Sequence, residues 1–380
     1  VPLTLAAVLA PAVYRKLGLP LEQFALFSIP LIPPATRWLW APVVDRHFGR
    51  RSWIAGCTAL AVLLYLGLAA TAPTLETLHG FVALLTLISV VMATQDVAVD
   101  GYVVEALRKG EQAAGSRLRL AATEAGQLIA IGGLMLLYQT AGWATAVSVS
   151  ALVLAVFTLP ALLQEAPPRS PVGPGVLSAA FRRPDMQAIL LVAAATAFPA
   201  GIASAIVGPF LVDKGLSIGS IGVALGLASS VAPVLSAFTL SPWLTRGRTL
   251  SQSVLRVIPF SACAPLGLFS LALWPGPDAM VVAAAVFVGS FLAAPGLILI
   301  YQARLGWTAR ASAGTEFSLQ ESVVYLSRNV LTAAVAGPFA ALFGWPTLFA
   351  ANAILAAGSL MILARMVPSI EALVATRDAV

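Results

Sequence analysis

The sequence predicts an all-α polytopic membrane protein of twelve spans in two six-helix halves, and three observations carry that expectation. Of the 380 residues 59% are hydrophobic and only 10% charged, where a soluble domain carries roughly 25% charge. Apolar runs approaching the length a bilayer demands, about 20 residues, recur in two sets of six. One polar, proline-rich stretch, Gln164 to Asp185 (QEAPPRSPVGPGVLSAAFRRPD), separates the sets and reads as a cytoplasmic linker.

In order, the spans are expected near 1–14 (a first helix whose start is missing), 22–44, 53–72, 79–104, 119–139 and 142–163, the N-terminal half. After the linker at 164–185 they are expected near 186–212, 216–243, 251–274, 279–303, 314–341 and 345–366, with a cytoplasmic tail over 367–380. A short echo supports the two halves: Ala41-Pro-Val-Val-Asp-Arg46 after the second span is matched by Ser241-Pro-Trp-Leu-Thr-Arg246 after the eighth. Parallel repeats of this kind place a substrate site between the halves. Pro30, Pro33, Pro34, Pro199, Gly201, Pro295 and Gly296 interrupt several spans, as in kinked or unwound helices that line a cavity. Such residues also serve close helix packing.

Basic residues set the orientation. With both chain ends in the cytoplasm, all but five of the 22 Lys and Arg face inward. Arg15, Lys16 and Lys214 face outward, and Arg37 and Arg328 lie within the membrane. The positive-inside rule then favours cytoplasmic N- and C-termini. A net charge of +6 follows from the same rule, and without a basic patch interleaved with aromatics nucleic acid is not expected as a partner. Cys57 and Cys263 sit in apolar segments of different halves, and His47 and His79 are far apart. Neither a disulfide nor a metal site is indicated. No Walker loop, nucleophile elbow or dinucleotide fingerprint appears, so neither an enzyme nor a cofactor is expected.

What remains for chemistry is intramembrane charge. The stretch Met92 to Glu105 (MATQDVAVDGYVVE) places Gln95, Asp96, Asp100 and Glu105 inside an apolar span, where a carboxylate marks function by default. Asp96 and Asp100 are i and i+4, hence on one helix face. Two carboxylates that close do not both ionise cheaply at low dielectric, so one is expected to hold a proton, as in a proton relay. The alternative is that both only bond neighbouring helices or the backbone. Glu124, five residues past Arg119, and Glu321, eleven past Arg310, join Asp96 and Asp100 as proton-coupling candidates, and Glu124 also suits a cytoplasmic gate.

Gln320, Tyr325, Arg328 and Asn329 form a polar stripe on the eleventh span. With Arg37, Gln95 and Tyr301 they make the candidate substrate-binding set. Glu321 and Arg328, seven residues apart, are expected on one face about 10.5 Å apart along the axis. Arg37 has a second reading, an arginine that snorkels toward Asp45 and the interface. Asp45, Arg46, Arg50 and Arg51 in the turn APVVDRHFGRR are the candidate cytoplasmic gate, a latch that holds in one state and releases in another.

These residues resemble a known pattern. ALFSIPLIPPATRWLWAPVVDR with GRRSWI, followed by SVVMATQDVAVDGYVVE, is similar to the branch of the major facilitator superfamily that contains AmpG-type muropeptide permeases, acetyl-CoA transporters and RhtX/FptX-type siderophore permeases. SAGTEFSLQES (Ser312 to Ser322) looks closer to the siderophore permeases. Against the general superfamily signature, Ala41 replaces the leading glycine and one residue is inserted before Gly49. The resemblance implies a major-facilitator bundle and a monomeric proton-coupled importer of the bacterial inner membrane, with protons, lipid and a siderophore or ferric siderophore as partners. The alternative substrate is an anhydromuropeptide. A non-transporting membrane sensor is the reading from another class, and the lack of an appended soluble domain in this sequence weighs against it.

Overall fold

The computed structural model describes residues 13, 14, 17, 26, 27, 29–108, 110–128, 133–163, 176–216, 218–276 and 278–378. Residues 1–12 of the expected first span and most of the linker, 164–175, therefore lie outside the described residues, as do Arg15, Lys16 and Lys109. The described chain is helical, with no strand among the described residues, and seven of its helices are long and apolar enough to cross a membrane.

The chain divides into two compact units. Unit 1 comprises Val1–Ala106, Gly126–Ala179 and Thr308–Ser322, and unit 2 comprises Leu107–Ala125, Ala180–Trp307 and Val323–Val380. Neither is a contiguous half: the start of the expected eleventh span belongs with the N-terminal helices.

Unit 1 opens with a segment that is not one long helix. α1 (Ile32–Thr36) gives way to a 3-10 turn, Arg37–Leu39, and then to α2 (Ala41–Arg46). Pro33, Pro34 and Pro42 are the cause: each removes a backbone donor and is tolerated only in a helix's first turn. The continuous span expected over 22–44 is thus corrected to a broken one. α3 (Arg50–Ala70) and α4 (Leu78–Ala106) follow as unbroken spans. Their packing buries Tyr65, Leu68, Phe81 and Leu85 together with Trp143, whose indole donates to the Leu68 carbonyl at 3.1 Å.

α5 (Gln112–Leu128) and α6 (Leu134–Leu163) come next. Within α6, Gly142 has φ 81°, and the turn lies where the fifth and sixth spans were expected to meet. Gly344, with φ 80°, does the same between the eleventh and twelfth spans. A side chain at either position would strain the backbone.

In unit 2, α7 (Val176–Arg182) stands where the second part of the linker was expected, and α8 (Pro184–Asp213) begins directly after it. Pro184 suits a first helical position and Asp185 the positive end of the helix dipole. α9 (Ile218–Phe238) breaks before α10 (Leu240–Thr245). The echo noted in the sequence thus falls on two six-residue helices, α2 and α10. α11 (Leu250–Leu273) starts with a capping box at Thr249 and Gln252, and α12 (Ala279–Trp307) follows.

After a 3-10 turn at Arg310–Ser312 come α13 (Ala313–Tyr325), a π turn at Leu326–Leu331, and α14 (Thr332–Asp378). Over the stretch expected as a tail, 367–380, the helix continues to Asp378. Val367, Ile370 and Val374 on it are buried with Ile189, Leu244 and Trp307, so an apolar stripe at helical spacing continues the helix.

Candidate functional site

The break at Arg37 is fastened to α4 at several levels. Ser89 donates to the Pro30 carbonyl at 2.5 Å, and the Trp40 indole donates to the Thr94 hydroxyl at 3.0 Å. Backbone groups released from a regular helix must find such partners in an apolar medium. Between these anchors Arg37, 5% exposed, projects onto the acidic face of α4.

Its Nη1 lies 3.3 Å from Asp96 and its Nη2 3.0 Å from Asp100, while Glu321 of α13 is 3.9 Å from Nη2. The expected shared face of Asp96 and Asp100 is present. The guanidinium paired with both offsets their repulsion, a partner that i, i+4 spacing by itself does not reveal. One guanidinium serves three carboxylates in unequal settings: the side chains of Asp100, Glu321 and Asp96 are 4%, 19% and 49% exposed.

Gln95 turns to another face of α4. Its amide donates to Thr58 at 2.7 Å, and Thr58 reaches Thr158 at 3.4 Å, so it ties α3, α4 and α6 together.

A second buried arginine sits at the start of α3. Arg50 Nη1 is 2.5 Å from Asp45 and Nη2 2.7 Å from Glu105. Asp45 Oδ2 in turn accepts from the Thr315 amide at 2.6 Å and the Thr315 hydroxyl at 2.5 Å. An anion there satisfies open N–H groups at the N-terminus of α13. Of the gate set, Asp45 and Arg50 come together, while Arg46 and Arg51 are exposed.

Two glycines make the arrangement possible. A Cβ at Gly101 would lie 2.5 Å from Arg50 Cζ, and one at Gly314 would collide with Asp45 Oδ1. Glu105, Thr315 and both glycines were not singled out for the gate. The available signal was Gly101 itself, since a glycine inside a helix marks a close approach.

Glu316, one of the intramembrane charges, is buried at the head of α13, where it accepts from the Ala309 amide at 3.1 Å and the Ser312 hydroxyl at 2.8 Å. Gln320 is buried and donates to Thr308 at 3.0 Å. The remaining candidates are in unit 2. The Arg119 guanidinium stacks on the Tyr301 ring, 4.3 Å from its centroid, and donates to its hydroxyl.

Arg328 and Asn329 are exposed on the π turn, and Tyr325 and Glu124 are half-buried. Glu124 is close enough to Arg328 for the two charges to interact. Glu321 lies on α13, 3.9 Å from Arg37, and Arg328 lies on the π turn that follows.

No family model matches the chain. Over 366 residues, 92% of this chain and 73% of the relative, it is 24% identical to the anhydromuropeptide permease of Escherichia coli K12. An uncharacterized protein of Haemophilus influenzae is 30% identical over 141 residues, 36% of this chain, and the chain spans about a third, 32%, of that relative's length. Among solved structures, the E. coli fucose:proton symporter superposes with a TM-score of 0.69 at 14% identity, covering 96% of each chain. The chain has the major-facilitator fold.

The human organic anion transporter MFSD10 shares that fold with a TM-score of 0.68 at 17% identity, covering 93% of this chain and 88% of its own. A bacterial homologue of the iron transporter ferroportin, in an outward-facing state, gives 0.63 at 14% identity and 98% of each chain. Within this fold, buried charge in unit 1 gathers around Arg37 and around Arg50, with Glu316 buried at the head of α13.

Proposed function

We propose that the protein is a proton-coupled secondary transporter of the bacterial inner membrane that imports a polar, anionic small molecule. The observation that carries the reading is the buried Arg37 held among Asp96, Asp100 and Glu321 on a broken helix. A cation outnumbered by carboxylates in a low-dielectric setting stays paired whichever acid takes up a proton. Protonation therefore changes which carboxylate Arg37 holds without leaving the guanidinium bare. Asp96 and Glu321, the less buried of the three acids, are the sites of proton entry. Asp45 and Arg50 form the cytoplasmic latch on α13, and Arg328, exposed on its π turn, takes an anionic group of the substrate.

For the substrate, an anhydromuropeptide is favoured by the E. coli permease that aligns with 92% of this chain. A siderophore is favoured by the sequence SAGTEFSLQES alone. Purified protein in proteoliposomes with an imposed pH gradient tests both. Uphill accumulation of an anhydromuropeptide supports the first substrate, and of a ferric siderophore the second. If neither accumulates while the protein is folded, the proposal fails for both solutes.

A further inference from the structure

The outer face of unit 2 carries two arginines that the transport reading does not use. Ser251 of α11 donates to the Ala364 carbonyl of α14 at 3.2 Å, while Leu268 and Leu271, near the other end of α11, share a core with Leu348 and Phe349. The two helices are therefore antiparallel. Arg256 follows Ser251 by five residues and Arg365 follows Ala364 by one, and both are exposed. Around them Leu255, Met361 and Ile362 are exposed as well, on helices apolar enough to span a bilayer. Such a face meets lipid.

Helix geometry brings the two arginines together. Arg256 lies about 140° round α11 from the Ser251 contact, and Arg365 about 100° round α14 from Ala364. Because the helices run in opposite directions, rotation in the same sense puts both on one side of the pair. Side chains also lean toward the N-terminus of their own helix. Arg256 thus leans toward the level of Arg365 and Arg365 leans back toward Arg256, across a rise of roughly 7.5 Å.

Neither arginine has a hydrogen bond or ion pair among the described residues. No Asp or Glu occurs between Ser241 and Trp274, and Glu371, six residues past Arg365, is turned about 120° away from it. The capping box of Thr249 and Gln252 already serves the start of α11, so an anion on this face would be held by side chains. A guanidinium that meets hydrocarbon without a counter-charge is costly. The anion at hand along a lipid-facing helix pair is a lipid phosphate.

We infer that Arg256 and Arg365 form a site for the phosphate of one anionic phospholipid, whose acyl chains lie along Leu255, Met361 and Ile362. The two guanidiniums donate to separate phosphate oxygens. The site lies wholly within unit 2 and is independent of what the protein transports.

The test titrates the purified whole chain in non-ionic detergent with phosphatidylglycerol or phosphatidylcholine, and native mass spectrometry reads the affinity for the first lipid bound. Wild type should prefer phosphatidylglycerol. Arg256→Ala is expected to weaken that binding roughly fivefold, and Arg256→Ala with Arg365→Ala roughly thirtyfold. Replacing both by Lys should weaken it less, since the charge stays and the fork is lost. Arg182→Ala, which removes an exposed arginine at the end of α7, should leave it unchanged.

Equal affinity of wild type for the two lipids overturns the inference, as does wild-type affinity in the folded double alanine variant. A loss in Arg182→Ala as large as in Arg256→Ala also overturns it, because net charge rather than a site would then be at work. Should the alanine pair not fold, Arg256→Gln with Arg365→Gln keeps much of the bulk on each helix, and unchanged affinity there overturns it equally.

Discussion

The broken segment around Arg37 and the π turn around Arg328 hold the same guanidinium in opposite settings. Arg37 is buried beside Asp96, Asp100 and Glu321. Arg328 is exposed, with no hydrogen bond or ion pair to its guanidinium among the described residues and with Glu124 within electrostatic reach. Departing from α-helical geometry serves different ends in the two places. At Arg37 the 3-10 turn, backed by prolines, aims a cation into an acidic helix face. At Arg328 a π turn carries the cation at an exposed position. A desolvated, compensated charge belongs to the folded bundle, whereas an exposed one is available to a ligand.

The largest effect expected from this contrast is on stability. Arg37→Ala leaves Asp100 buried without its cation and should cost about 3–5 kcal/mol, read as a lowered unfolding midpoint in detergent. Arg328→Ala should stay within about 0.5 kcal/mol of wild type in the same assay. Equal losses in the two variants would erase the contrast.

Next in size is the split among the acids. Asp100→Asn should abolish uphill uptake, and Asp96→Asn should abolish it at a smaller stability loss, since Asp96 is half exposed. Full sensitivity to an imposed pH gradient in both variants would move proton coupling to Glu124 or Glu321.

Gly101→Ala probes the second arginine. The added methyl would sit 2.5 Å from Arg50 Cζ, and relieving such overpacking typically costs about 1–3 kcal/mol. The thermal midpoint of the purified variant measures it, and a wild-type value would mean that Arg50 has another place to go.

The smallest expected change is Arg328→Lys, which keeps the charge and loses the planar fork that matches a carboxylate. Substrate binding should weaken without change in the unfolding midpoint, while Arg328→Ala nearly eliminates binding. Undiminished binding of the transported anion by Arg328→Ala would remove Arg328 from substrate recognition.

By itself the sequence determined what depends on neighbours along the chain. Apolar runs of bilayer length place α3, α4, α8, α11 and α12 close to their observed limits, because burying a backbone in lipid leaves a helix as its one local solution. The i, i+4 spacing puts Asp96 and Asp100 on one face for the same reason. Gly142 and Gly344 sit at expected span boundaries because only glycine turns there freely. What only the tertiary structure decided is which groups meet across helices. Arg37 finds Asp100 63 positions away and Glu321 beyond that, Arg50 reaches Glu105 over the bare Gly101, and Arg377 returns to Asp185. Such pairings depend on how far a side chain reaches, which neighbour leaves room, and how a 3-10 or π turn rotates the helix beyond it. None of these has a period that can be counted along the chain.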